Sequence, residues 1–112
     1  MAAPTPDVMG AALTTSAADL FTVPASTVRH VLQVQAANID GTNDVDVTLQ
    51  WTDSSNADAV YRLAYQVTVA AKDARTMLAG PLALSAGDKL QALASAASDA
   101  EITVTYYDES TA

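Results

Sequence analysis

The chain has 112 residues, 50% of them hydrophobic, with 13 acidic side chains against 5 basic ones, one His and no Cys, for a net charge of −8. Such a length makes one domain around one core, and the missing Cys excludes disulfide staples and thiolate chemistry. The acidic balance argues against nucleic acid and anionic membrane surfaces as partners, because both would need their phosphates neutralised.

Eleven of the acids are Asp, and Lys72 and Lys89 are the only lysines. A surface of that kind suits high ionic strength, where self-repulsion is screened. No apolar run reaches the roughly 18 residues that a spanning helix needs. The opening stretch Met1–Asp7 lacks the basic and apolar regions of a signal peptide. A route out of a cell would then run through lysis or assembly into a particle.

Residues 1–10 read as a flexible N-terminal arm, since Pro4, Pro6 and Gly10 disfavour regular structure. A short strand over Ala11–Thr15 is expected next, broken by Ser16–Asp19. Leu20–Val23 is a second strand, ended by Pro24. Thr27–Ile39 is the longest candidate, with Val28, His30, Leu32, Val34 and Ala36 as its buried row and Arg29, Gln33 and Gln35 outward. An Asp40-Gly41 turn then suggests an antiparallel hairpin with Val45–Asp53.

Val45–Asp53 alternates without a fault. Val45, Val47, Leu49 and Trp51 share one face, and Asp46, Thr48, Gln50 and Thr52 share the other, the pattern of a half-buried strand. A polar turn over residues 53–58 leads to a strand through Tyr61, Leu63, Tyr65, Val67 and Val69, bent near Gln66. Short strands follow over Arg75–Leu78 and Leu82–Leu84, with a tight turn at Ser85–Asp88. Lys89–Ala96 has helix propensity, but its Gly-Asp turn, its length and its neighbours make it a strand. Glu101–Asp108 closes the domain, and residues 109–112 form a polar tail. About eight strands without a helix predict a single antiparallel β-sandwich over residues 11–108, jelly-roll or immunoglobulin-like.

No constellation reads as a catalytic, cofactor or metal site. His30 lies on an apolar row, where a core or interface role outweighs that of a base, which would need a nucleophile and an orienting acid beside it. Two loops offer calcium oxygens, Asp40, Asn43, Asp44 and Asp46 in one and Asp53, Asn56 and Asp58 in the other. Neither has EF-hand spacing, and Asp and Asn are ordinary turn residues. Trp51, Tyr61, Tyr65 and Tyr106 are assigned to core rows rather than to a sugar-stacking platform. That leaves Tyr107 as the one outward aromatic.

Leu20–Ala25, the strand through Val31–Val34, Val45–Leu49, Thr52–Ser55, Tyr61–Leu63, Leu84–Ala92 and Ile102–Tyr107 together follow a recognisable order. In that order the chain, over residues 11–108, resembles small β-sandwich virion proteins of tailed bacteriophages, the head-decoration, head-fibre and head-spike type. Ala70–Ala74 departs from it, where a Pro-Ala-Gly type turn is expected. The resemblance implies a virion component without enzymatic activity or cofactor. Such a protein would form a trimer or pentamer and attach to capsid or tail. The alternative is a carbohydrate- or receptor-binding sandwich that uses Tyr107 or the 53–58 loop.

Overall fold

The structure is a computed structural model that describes residues 5–112. Nine strands and one 3₁₀ turn build it: β1 (Asp7–Ala12), β2 (Ala18–Thr22), β3 (Thr27–Asn38), β4 (Val45–Asp53), the turn Ser54–Asn56, β5 (Ala59–Val69), β6 (Ala74–Thr76), β7 (Leu82–Leu84), β8 (Lys89–Ala94) and β9 (Ala100–Ser110). They form two antiparallel sheets, ordered β1-β9-β3-β6, with β7 also on β3, and β2-β8-β4-β5. An all-β sandwich results. No helix among the described residues is long and apolar enough to cross a membrane.

The core is aliphatic. Val31, Val34, Val47, Leu49, Leu90, Ile102 and Val104 are wholly buried, each contributing about 2 kcal/mol of transfer free energy. Val, Leu and Ala dominate the core, and Phe21, Trp51 and Tyr106 are partly buried against it.

Several expectations need correcting. Asp7–Gly10 are not an arm: they belong to β1, which pairs with β9 from Asp7↔Tyr106 to Ala12↔Glu101. Residues 1–4 of the expected arm lie outside the described residues. At the other end, Glu109 and Ser110 are ladder residues opposite Val28 and Thr27 rather than tail.

β3 and β4 form no hairpin. β3 pairs with β9, β6 and β7, while β4 lies in the other sheet between β8 and β5. The loop after β3 crosses the sandwich instead of turning back. Asn38, 3% exposed, holds that crossing: its side-chain amide donates to the carbonyls of Asn43 (2.9 Å) and Val69 (3.0 Å). A buried amide satisfied at both ends fixes the path, which the Asp40-Gly41 dipeptide alone does not.

The phase of β3 also differs. The β3–β9 register slips between Val31 and Gln33, a β-bulge that leaves Leu32 and Gln33 both exposed. Before the bulge the odd positions Arg29 and Val31 are buried; after it the even positions Val34 and Ala36 are. One extra residue flips every side chain on one side of it. The expected even row therefore holds only from Val34 onward.

The turn from β7 to β8 needs its glycine. Gly87 has φ +87, and a Cβ there would meet Ser54 Oγ at 3.1 Å. The structure adopts the expected strand, not a helix, over Lys89–Ala94. β5 does bend at Gln66, which has φ 48.

Candidate functional site

Two layers of side chains meet where β3, β9 and β2 come together. The inner layer centres on Arg29. Its Nε and Nη2 donate to the two carboxylate oxygens of Asp108 at 2.7 and 2.9 Å. Its guanidinium lies 4.6 Å from the Phe21 ring centroid and 4.3 Å from that of Tyr106. A planar cation against two touching rings, with a bidentate acid at its edge, meets most of what a buried charge requires. The hydrogen bonds from Arg29 hold the Asp108 carboxyl below the usual carboxylate range, against the opposing effect of desolvation.

The outer layer holds His30. Its ring stacks on Tyr107 with centroids 4.6 Å apart and planes at 13°, and its Nε2 lies 2.9 Å from Glu109 Oε1. His30 thus faces the outer surface with a carboxylate partner. It is not in the core row with a backbone partner, as its spacing suggested, because the Leu32 bulge reverses the phase.

Beyond His30 the outer face of this sheet is short of charge. Val8, Thr105 and Gln33 form one cross-strand row, and Gly10, Thr103 and Gln35 the next. Val8 is 58% exposed and the bulged Leu32 40%. Only Glu101 at one end and the His30–Glu109 pair at the other carry ionisable groups on these rows. On a chain of net charge −8 this is the bland face.

The acidic loops spend their oxygens internally. Asp40 accepts the backbone N–H groups of Thr42 and Asn43. Asp44 takes the Ala71 N–H, and Asp46 the Thr68 hydroxyl. Asp53 caps the 3₁₀ turn through the Ser55 N–H at 3.0 Å, and Asn56 donates to the Tyr61 hydroxyl. Among the described residues, no three His, Cys, Asp or Glu side chains gather as a metal site would require.

The aromatics divide differently from the sequence reading. Trp51 and Tyr106 pack against the core as expected. Tyr61 and Tyr65 do not: they are 48% and 63% exposed. β5 is an edge strand: Tyr61 lies beside Trp51 with its other side open, while the register shifts against β4 re-aim Tyr65. Tyr107 faces outward as read, half covered by His30. Sequence reasoning missed the Arg29–Asp108 pair altogether. The two residues lie 79 apart, and the one available hint was an Arg inside an apolar strand.

No family model matches the sequence, and no curated protein does either. Among solved structures, one described as Bacillus endospore appendages that form a novel family of disulfide-linked pili aligns with a TM-score of 0.58 at 12% identity, covering 98% of this chain and 88% of its own. Two structures of a pentameric capsid protein isolated from metagenomic phage sequences align with TM-scores of 0.41 and 0.40 at 15% identity, over 92% of this chain and 59% and 67% of theirs. The capsid likenesses are too slight to carry an argument; the appendage protein is similar to this chain in fold.

Proposed function

We propose that the protein is a non-enzymatic assembly subunit: a tailed-phage virion component of the decoration, head-fibre or vertex kind, working as a homo-oligomer bound to capsid or tail. The observation that carries this reading is the uncharged outer face of β1-β9-β3. Copies that each bear eight net negative charges repel one another, so a stable contact favours the face where charge is missing. Threonines, glutamines and small residues in cross-strand rows leave that face free of charge between Glu101 and the His30–Glu109 pair.

Two further points support the reading. The strand orders β1-β9-β3-β6 and β2-β8-β4-β5 are compatible with a double-sheet jelly roll, an architecture used by viral capsid and lectin domains. The order of sequence elements resembles tailed-phage virion proteins. A pilus-like polymer is compatible with the fold, but without Cys it would be held by non-covalent contacts alone. The alternative reading, a receptor- or sugar-binding module working through Tyr107 or residues 53–58, is weakened because Tyr107 is stacked on His30 and Asp53 is engaged as a cap.

The test is the mass in solution by light scattering, at low and molar salt, of the wild type and of Thr103→Glu. A trimer or pentamer of the 11.5 kDa chain that Thr103→Glu reduces to monomer supports the proposal. A wild-type monomer at both salts, or an oligomer indifferent to Thr103→Glu, rejects assembly through this face.

A further inference from the structure

The opposite face of the sandwich carries a groove. Two adjoining hollows of about 310 and 320 Å³ lie over β8, β4 and β5 and share Thr48, Gln66 and Leu93 as lining. The floor is polar yet deep: Thr48 is 5% exposed and Gln50 7%. Gln50 Nε2 donates to Gln91 Oε1 at 2.8 Å, and Gln91 Nε2 to Asp19 Oδ1 at 2.7 Å. A hydrogen-bonded amide relay thus crosses from β4 to β2. It fixes the orientation of both glutamines before any ligand arrives, which lowers the ordering cost of binding.

The wall of the groove is made by a backbone irregularity. Opposite Val47–Gln50, β5 uses two extra residues: Val47 faces Val67, Leu49 faces Ala64 and Gln50 faces Arg62. Gln66 within this stretch has φ 48, a left-handed conformation that costs a non-glycine residue about 1 kcal/mol or more. Its N–H is held by Thr48 Oγ1 at 3.1 Å. Bulges of this kind re-aim side chains. Here the result is that Tyr65 and Arg62 stand at the rim, with the guanidinium 6.0 Å from the Tyr65 ring centroid.

We infer that this groove binds a neutral saccharide chain. Amides and hydroxyls on a fixed floor match sugar hydroxyls, while Leu93 and the Tyr65 ring offer apolar surface to a pyranose C–H face. Asp46 at one end, Asp19 on the relay and the net charge of −8 disfavour anionic ligands, nucleic acid included. The polar floor disfavours a lipid. Two hollows in line favour an extended ligand over a single small molecule. The inference does not rest on self-assembly, which uses the other sheet.

The experiment is saturation-transfer NMR followed by calorimetry on the full chain, with neutral hexasaccharides of glucose, mannose and N-acetylglucosamine, and one sulfated hexasaccharide, as probes. Wild type is compared with Tyr65→Ala, an exposed change that leaves the core alone, and with Thr103→Glu on the opposite sheet. The expected result is binding of at least one neutral probe, weakened about tenfold or more by Tyr65→Ala and unchanged by Thr103→Glu. Absence of transfer with every neutral probe, preference for the sulfated one, or indifference to Tyr65→Ala overturns the inference.

Discussion

Arg29 reaches Asp108 while lying against two aromatic rings, Phe21 and Tyr106, so one side chain ties β3 to β9 and both to β2. The pair lies near one end of the sandwich, and Arg29 is only 8% exposed although it carries a full charge. Replacing it removes two charge-assisted hydrogen bonds and the packing against Phe21 and Tyr106. Arg29→Ala is expected to cost about 2 kcal/mol, less than a fully buried pair would because the Asp108 side chain is 39% exposed and can rehydrate. Arg29→Lys keeps the charge but not the fork, and is expected to fall between wild type and Ala. Urea denaturation of the three proteins checks this; equal midpoints would show that the pair contributes nothing.

Asp88 does comparable work at the start of β8, beside the Val23 backbone. At 3% exposure it accepts the Ser54 N–H (2.9 Å), the Ser54 hydroxyl (2.8 Å) and the Ser85 N–H (3.0 Å). Desolvation alone would raise its pKa, but these donors outweigh it and the carboxyl sits below its ordinary value. A folded-state pKa below the unfolded one gives stability that is present above the unfolded value and lost as pH falls through the folded one. Asp88→Ala leaves the donors stranded and is expected to cost about 3 kcal/mol at neutral pH. Much of that difference should vanish under acid. A penalty that stays constant from pH 7 down to strongly acid conditions contradicts this role.

Much of this architecture was legible in the sequence, because strands and turns are local. Val45–Asp53 alternates cleanly and forms a strand with those bounds. Ser85–Asp88 contains the glycine that its turn needs. What stayed hidden depends on distant partners. The bulge at Leu32 exists because β3 aligns with a β9 about seventy residues away, and it inverted the reading of Arg29 and His30. Tyr61 and Tyr65 alternate like core residues, but nothing in their own stretch says that β5 is an edge strand with two extra residues. The groove beside them was invisible for the same reason.

Ala57 offers a gain rather than a loss. It follows the 3₁₀ turn with φ 55 and ψ 38, the left-handed region, where a Cβ costs about 1 kcal/mol. Glycine relieves that cost but adds freedom to the unfolded chain. Ala57→Gly is therefore expected to stabilise by about 0.5 kcal/mol, a rise of a few degrees in Tm for a domain of this size. A fall in Tm would mean that Ala57 makes contacts outweighing its backbone strain.

Asp40 and Asp99 are two acids that face each other. Desolvation, then repulsion from and a hydrogen bond with Asp40, raise the Asp99 carboxyl above its ordinary value. Asp40 is held below its own, first by the Thr42 N–H and then by Asn43. For Asp99 the sign is opposite to that of Asp88: the folded state prefers its protonated form, and that preference is lost as pH rises through the folded pKa. At neutral pH both groups are ionised and repel. Asp99→Asn removes one charge and leaves an amide able to donate to Asp40, so its Tm at pH 7 should exceed that of the wild type. The advantage should shrink as pH falls below the ordinary carboxylate range, where wild-type Asp99 carries its own proton. Thermal melts of both proteins across that range decide the matter, and a variant that is less stable at pH 7 would mean that the two carboxylates do not oppose each other in the folded chain.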